Sequence, residues 1–266
     1  MTKKIDTDPD GYSSKLFISS LDKCFTLLEA LRVAGRPLGL TELVRLSGLN
    51  RSVTQRIAHT LKTLGYLNQD PENRAYTLSS RLLSFSHAVL SLDRVREKAN
   101  PHLEALNRET GETVNLMRLE AEEIVYISRF PSKHAVSVDL HVGSRLPAFC
   151  TAAGRAILSR LDPEKALEIL ERSERKPMTS RTVTDLQGLR DALIAARKLG
   201  YALNNQEAFV GDISIAAPLI DRTNQPLGAV NIAVPSPRWN LEDAKRVLAP
   251  QVVETARTIN SLVGNL

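Results

Sequence analysis

Apolar residues recur at helical spacing in the first part of the chain, and each run ends at a glycine. The first run, SLDKCFTLLEALRVAG, predicts a helix that Ser20 caps and Gly35 ends. A short second helix is predicted over LTELVRLSG, with Thr41 as its cap, and a third helix from Asn50 to about Leu64. A short helix, a tight turn containing glycine and another helix form the helix-turn-helix pattern.

Alternating apolar and polar residues follow the third helix directly. The runs YLNQ and AYTL flank a turn at DPENR, so we expect a two-stranded hairpin with Arg74 near its tip. Three helices followed by such a hairpin predict a winged helix-turn-helix domain over residues 19–78. Residues 1–18 are polar and are predicted to form a flexible tail.

The next segment, SSRLLSFSHAVLSLDRVREKAN, carries apolar residues at 3-4-3 spacing, namely Leu82, Phe85, Val89 and Leu92. This pattern predicts one long linker helix over 79–100 that begins at Ser79 or Ser80 and ends before Pro101. A helix between two domains has little core of its own to cover such a stripe. We interpret the stripe as a homodimer seam; packing against the chain's own C-terminal domain is the alternative.

From residue 101 the pattern mixes helices and strands. Pro101 is predicted to begin a helix that Gly111 ends. Strand-like runs follow, namely ETVNLMRL, IVYISRF, HAVSVDL, YALNNQE, DISIAAPLID and LGAVNIAV. Helices are predicted over CTAAGRAILSRL and over DLQGLRDALIAARKLG. Between them, another helix is predicted to begin after Asp162 as its cap, and a last helix runs from Leu241 to near the end of the chain. Runs of strands with helices on either side predict an antiparallel α+β domain over 101–266.

Composition restricts the class of protein. The chain has 266 residues, a net charge of +5 and a pI near 9.3, which fits a protein of one or two domains with an ordinary core. Two cysteines, Cys24 and Cys150, suit a reducing compartment. The start MTKKIDTDPDGYSSK lacks the apolar segment of a signal peptide, and no apolar run is long enough to span a membrane. We therefore expect a soluble cytoplasmic protein that needs no cofactor.

Charge is locally unbalanced around the third helix, because the stretch from Leu43 to Gln69 has four Lys and Arg residues and no acid. One face of the helix is apolar at Val53, Ile57, Leu61 and Leu64. The opposite face carries side chains that can bond base edges or phosphates in a major groove. We predict Arg51, Ser52, Gln55 and His59 to read bases, and Arg56, Lys62 and Arg74 to hold mainly phosphates. The alternative is a solvated helix face that happens to lack acids.

Six segments in this order resemble the IclR family of bacterial transcriptional regulators, over about residues 19–264. They are SLDKCFTLLEAL, LTELVRLSGLNRSVTQRIAHTLKTLGYL, ETVNLMRL, VGSRLPAFCTAAGRAIL, LGYALNNQEAFVGDISIAAPLID and LGAVNIAVPSPR. The resemblance implies a winged helix-turn-helix domain, a linker helix and a GAF-like effector-binding domain. It also implies dimers or pairs of dimers on a pseudo-palindromic operator, regulation of catabolic genes, and a small organic acid as effector. Both repressors and activators fit, and an activator also contacts RNA polymerase.

The family's effector pocket, carried over by motif, implies ten residues here: Val138, Leu146, Thr151, Ala152, Ala153, Asn204, Asp212, Ser214, Asn231 and Ala233. The small residues at the start of the CTAAGRA helix leave N–H groups for an anion. Ser214 stands where the family often has cysteine, and Ala233 where relatives carry a small polar residue. We therefore expect an effector with an apolar or aromatic part. The alternatives are helix capping for Thr151, strand packing for Ser214 and a surface position for Asp212.

Two other protein classes, an enzyme and an assembly protein, are the alternatives to a regulator. A cysteine-dependent enzyme needs Cys150 as nucleophile and His134 or His141 as base, but neither histidine sits in a recognisable local signature. The two histidines are seven residues apart, which places them on opposite faces of a strand and disfavours a metal ion shared between them. No metal-ligand or phosphate-loop motif occurs, so the sequence favours a protein that is not an enzyme. A DNA-binding assembly protein without an effector stays possible, and small acids would not stabilise such a protein.

Overall fold

A computed structural model describes residues 16–134 and 140–264. The chain forms two compact units, Met1–Val89 and Leu90–Leu266, and each is described by itself. The boundary between them falls inside the segment that the sequence predicts as a linker. Within the described ranges, none of the helices combines the length and the apolar character needed to cross a bilayer.

The first unit contains three helices and a two-stranded hairpin. Its elements are α1 (Ser19–Ala34), α2 (Leu40–Ser47), α3 (Arg51–Thr63), β1 (Leu67–Gln69) and β2 (Tyr76–Leu78). Gly35 and Gly48 end α1 and α2 with φ of 61° and 68°, the left-handed region that glycine adopts without strain. Leu38 pairs with Tyr76 and so attaches the loop between α1 and α2 to the hairpin. The predicted winged helix-turn-helix is confirmed.

Only one of the three predicted caps in this unit is correct. Asn50 accepts the backbone N–H of Val53 at 2.9 Å and caps α3. Ser20 lies inside α1 and Thr41 lies inside α2, so both were wrong as caps. The carboxylate of Glu42 instead accepts the N–H of the glycine that precedes α2, at 3.4 Å.

The buried face of α3 is displaced from the predicted one. It consists of Thr54, Ala58 and Leu61, flanked by half-buried Val53 and Ile57. Leu64 was predicted on this face but is 52% exposed. The sequence hid the true face because a threonine occupies its centre. The Thr54 hydroxyl donates to the Asn50 carbonyl at 2.9 Å, and a polar group bonded in this way can be buried at little cost.

The segment predicted as one linker helix is three pieces: a 3₁₀ turn at Ser80–Leu82, α4 (Leu83–Ser91) and α5 (Arg94–Thr110). The break arises at Asp93, whose carboxylate accepts the N–H of Arg96 at 2.9 Å and caps a new helix. Arg118 holds the same carboxylate at 2.8 Å. Pro101 neither ends nor begins a helix but lies inside α5, where core packing offsets its missing hydrogen bond. Gly111 ends α5 as predicted.

The second unit is built on a six-stranded antiparallel sheet with the order β5-β4-β3-β8-β7-β6. The strands are β3 (Thr113–Glu120), β4 (Glu123–Phe130), β5 (Arg145–Pro147), β6 (Ala202–Asn205), β7 (Asp212–Ile220) and β8 (Pro226–Pro235). Five of these six strands fall within the strand-like runs predicted from the sequence. Strand β5 was missed because three residues are too few to show alternation. The predicted strand HAVSVDL runs over 134–140, and its residues 135–139 lie outside the described residues.

Helices cover both faces of this sheet. They are α6 (Ala152–Leu158), α7 (Pro163–Arg172), α8 (Leu186–Leu199), α9 (Leu241–Asp243) and α10 (Ala249–Val263), with a π-helical turn at Ala244–Leu248. Helices α5 and α10 pack on one face and helices α6 to α8 on the other. Asp162 caps α7 as predicted, accepting the N–H of Glu164 at 2.9 Å. The predicted α+β architecture is confirmed.

Candidate functional site

The outward face of α3 is positive and free of acids. All six residues predicted there are exposed, namely Arg51, Ser52, Gln55, Arg56, His59 and Lys62. The buried side of the helix packs into the core of the first unit, which fixes the direction of this outward face. Arg51 donates to the Thr41 hydroxyl of α2 at 3.4 Å, so its guanidinium is partly ordered.

Two hydrogen bonds connect α3 to the tip of the hairpin. Lys62 donates to the side-chain oxygen of Gln69 at 3.0 Å, and Gln69 donates to the carbonyl of Arg74 at 3.1 Å. Arg74 is exposed and has φ of 60°, and Asp70 closes the turn before it by accepting the N–H of Asn73 at 3.1 Å. Two predicted phosphate contacts, Lys62 and Arg74, are therefore joined through Gln69, which the sequence analysis did not single out.

A cavity of about 260 Å³ lies in the second unit between the sheet and the start of α6. It is lined by nine of the ten predicted effector residues: Leu146, Thr151, Ala152, Ala153, Asn204, Asp212, Ser214, Asn231 and Ala233. The tenth, Val138, lies outside the described residues. Their role as ligand contacts stays a prediction, but the structure brings them to one place.

Three polar side chains on neighbouring strands form a directed chain in the cavity wall. Arg129 donates to the side-chain oxygen of Asn115 at 3.1 Å, and Asn115 donates to that of Asn231 at 2.8 Å. A guanidinium has only donors, so the Asn115 oxygen must face Arg129, which fixes the orientation of both amides. The N–H₂ group of Asn231 is left without a protein acceptor among the described residues. The chain therefore offers hydrogen-bond donors to a ligand.

Asp212 places a carboxylate in the same cavity. Burial raises its pKa to about 7, and the charge of Arg129 opposes that shift. Tyr126, which also lines the cavity, has a raised pKa because it is buried and because the charge of Asp212 is near. The cavity thus contains a carboxyl group that changes charge near neutral pH.

Two predicted ligand contacts are already engaged within the fold. The Thr151 hydroxyl accepts the N–H of Gly154 at 3.2 Å and caps α6. Asn204 donates to the Cys150 carbonyl at 2.7 Å and accepts the N–H of Glu207 at 2.9 Å. These side chains hold the walls of the cavity in place. Ser214, in contrast, makes no side-chain hydrogen bond within the described part of the chain.

Comparison with known proteins identifies the chain. Residues 87–261 match the sequence profile of the bacterial transcriptional regulator IclR C-terminal domain, and residues 20–71 match that of the IclR helix-turn-helix domain. The chain belongs to the IclR family. It is therefore a ligand-responsive DNA-binding transcriptional regulator, a class whose members bind DNA operators and small-molecule effectors.

Individual IclR-family proteins align along nearly the whole chain. It is 32% identical over 253 residues to the Pca regulon regulatory protein of Pseudomonas putida, covering 95% of this chain and 84% of that protein. It is 31% identical to the p-hydroxybenzoate hydroxylase transcriptional activator of Acinetobacter baylyi, covering 93% and 92%. The crystal structure of RHA06195 from Rhodococcus sp. RHA1 superposes with a TM-score of 0.80 at 31% identity, covering 92% and 98%.

A buried ion pair fixes α6, the helix whose first residues line the cavity of this IclR-family regulator. Arg155 of α6 donates to both carboxylate oxygens of Glu207, at 2.5 and 2.6 Å, and Glu207 also accepts the N–H of Val183 at 3.1 Å. Gly154 must be glycine, because a Cβ there would lie 2.1 Å from the Ala148 carbonyl oxygen. Sequence reasoning missed Arg155 and Glu207, because charged residues this far apart in the chain give no sign that they pair.

The structure argues against Cys150 as a nucleophile. Its side chain is fully buried, and burial raises the pKa of the thiol to about 11. The thiol donates to the Pro147 carbonyl at 3.7 Å, as expected of a protonated structural cysteine. Among the described residues, no group of three or more His, Cys, Asp or Glu side chains could hold a metal ion.

Proposed function

We propose that this regulator binds a pseudo-palindromic operator as a homodimer or a pair of dimers, and that a small organic acid in the cavity changes its affinity for DNA. The observation that carries the proposal is the cavity itself, in which a polarised chain of donors lies beside apolar walls. The acid-free face of α3 supports the DNA half. The protein acts in the cytoplasm, and as an activator it would also contact RNA polymerase.

Helix α3 is the element that enters the major groove. Arg51, Ser52, Gln55 and His59 read base edges, while Arg56, Lys62 and Arg74 hold mainly phosphates. The hydrogen bonds through Gln69 support this sorting of Lys62 and Arg74, because they tie both residues to the hairpin side of the domain. Two-fold symmetry of the dimer requires two half-sites of matching symmetry in the operator.

The effector is an organic acid with an apolar, aromatic part. Its carboxylate accepts hydrogen bonds from Asn231, whose donors are backed by the charge of Arg129. Met117, Leu146 and Phe209 supply apolar wall for a ring. One relative of this chain is the p-hydroxybenzoate hydroxylase transcriptional activator of Acinetobacter baylyi. This similarity supports control of catabolic genes by such an acid.

The dimer seam lies on α4 and the turn after it. Phe85, Val89 and Leu92 are 57%, 69% and 81% exposed, and Leu83 beside them is 67% exposed. Exposed apolar side chains this close together in the chain are typical of an interaction surface. On α1, Leu21 and Phe25 are 54% and 64% exposed and offer a second copy further apolar surface.

Fluorescence polarisation with the regulator's own upstream intergenic DNA tests both halves. Titrations against scrambled DNA at near-physiological salt, with and without a panel of aliphatic and aromatic acids, should show specific binding that one acid shifts. Specific binding that no acid shifts, together with no thermal stabilisation by any acid, favours the assembly protein without an effector. Equal, salt-sensitive binding to both DNAs contradicts base reading by α3.

A further inference from the structure

The carboxylate of Asp212 is half-buried and has no hydrogen-bond partner among the described residues. Asp212 is the first residue of β7 and lines the cavity. Its backbone N–H bonds to the Phe209 carbonyl at 3.2 Å, and its carbonyl accepts the N–H of Gln206 at 2.7 Å. Within the described residues, its carboxylate accepts no hydrogen bond and forms no ion pair. A ligand that fills the cavity removes water from this carboxylate, and that loss is costly unless the ligand donates a hydrogen bond to it.

The other charged groups around Asp212 are engaged in contacts of their own. Of the described residues that line the cavity, only Glu112 and Arg129 are also charged, and Tyr126 is the remaining titratable side chain. Arg238 holds Glu112 at 2.5 Å, and the Trp239 indole donates to it at 2.9 Å. Arg129 donates to Asn115, and Glu207 on the loop before β7 pairs with Arg155. Asp212 is thus the charged acceptor that remains for a ligand among the described residues that line the cavity.

The cavity therefore has a donor end and an acceptor end. In the pairing of β7 with β8, Asp212 lies opposite Pro235, and Asn231 lies four residues back along β8. Four residues of strand span roughly 13 Å, and residues at even spacing point to the same face. Ser214 and Ala233 pair with each other between the two ends. Both are small, so a ring has room between the ends.

We propose that Asp212 determines which acids the cavity accepts, by receiving a hydrogen bond from a hydroxyl at the end of the effector opposite its carboxylate. This inference rests on the proposed function and deepens it from organic acids to aromatic hydroxy acids. An acid without that hydroxyl displaces water from the Asp212 carboxylate and offers no donor in its place. Such an acid binds only the form of the protein in which Asp212 has taken a proton from solvent.

The two kinds of acid consequently differ in pH dependence. Because the pKa of Asp212 is about 7, the neutral fraction falls roughly tenfold between pH 6 and pH 8. The affinity for benzoate should fall by about the same factor over that range. The affinity for 4-hydroxybenzoate should change by less than about threefold, since either form of Asp212 can pair with the hydroxyl.

Isothermal titration calorimetry of the full chain with benzoate and 4-hydroxybenzoate, at pH 6 and pH 8, tests the assignment. Wild type should prefer 4-hydroxybenzoate at least tenfold at pH 8 and less at pH 6. Asp212→Leu removes the acceptor and should abolish the preference at both pH values. Asp212→Asn keeps an acceptor without the charge, so it should keep a preference but lose the pH dependence. Asp191→Asn, an exposed position on α8, should behave as wild type.

Each failure has a distinct meaning. An unchanged preference for the hydroxylated acid in Asp212→Leu overturns the role of Asp212 and leaves the acid effector standing. The same conclusion follows if both acids bind wild type equally at both pH values. Binding of neither acid to wild type overturns the aromatic hydroxy acid and the proposed effector class together. Circular dichroism of each variant establishes that the fold is intact in every comparison.

Discussion

Arg155 and Glu207 form an ion pair in which both side chains are buried, and it joins three parts of the second unit. Arg155 also donates to the Phe149 carbonyl at 2.8 Å, so the pair fixes the segment that leads into α6. The carbonyl of Glu207 accepts from Thr182 at 2.7 Å, which attaches the loop before α8. At the scale of single residues, this pair holds together the segments that form one wall of the cavity.

Removing one member of this pair should destabilise the unit strongly. Glu207→Ala leaves the Arg155 guanidinium buried and uncompensated, so we expect a loss of about 3–5 kcal/mol in the free energy of unfolding. Urea denaturation followed by circular dichroism measures it. Glu171→Ala, at an exposed position on α7, should change stability by less than about 0.5 kcal/mol. A loss for Glu207→Ala no larger than that of the control contradicts a structural role for the pair.

At the scale of elements, the helix-turn-helix followed from local signals, but the linker did not. Glycines, the Asn50 cap and the spacing of apolar residues are all encoded within a few positions. The break between α4 and α5 is different, because Arg118 of β3 lies 25 residues from the Asp93 that it holds. The periodic stripe runs from Leu82 to Leu92, the first residue after α4, and its spacing gives no sign of the break, so the pattern alone predicted one helix.

Substitutions on α3 should separate base reading from phosphate binding. Gln55→Ala should weaken binding to the operator by about 1–3 kcal/mol while leaving binding to scrambled DNA nearly unchanged. Lys62→Ala should weaken both and reduce the slope of log affinity against log salt by about 1. Fluorescence polarisation at several salt concentrations measures these effects.

Arg181→Ala provides the control, because it removes a charge from an exposed site in the second unit. It should leave the preference for operator over scrambled DNA as in wild type. Equal weakening on operator and scrambled DNA by Gln55→Ala contradicts direct readout by that residue.

At the scale of the whole molecule, the proposed homodimer needs an exposed apolar surface, and α4 with the turn after it carries one. Leu92 is 81% exposed in the single chain, so a charge there should leave the fold intact. Leu92→Glu should weaken the dimer by at least tenfold, since the carboxylate would be buried against apolar side chains of the second copy. Sedimentation velocity across a range of concentrations measures the change. Ile194→Glu, at a 68% exposed position on α8, should sediment as wild type. An unchanged dimer in Leu92→Glu excludes this stripe as the seam.

The sequence by itself determined most of the elements and their order, apart from β5 and the break in the linker, because stop glycines and periodicity act between neighbours in the chain. The free face of α3 was predictable for the same reason, even though its buried face was placed one position off. The resemblance to a family, not spacing, supplied the cavity residues that the structure then brought together.

Only the tertiary structure decided the chemistry of the cavity. The chain from Arg129 through Asn115 to Asn231 exists because three strands lie side by side, and sequence separation carries no sign of that order. The raised pKa of Asp212 arises from burial, a property of the folded surroundings and not of the residue. Charges and hydrogen bonds act through space, so their effects appear only after distant parts of the chain have been packed together.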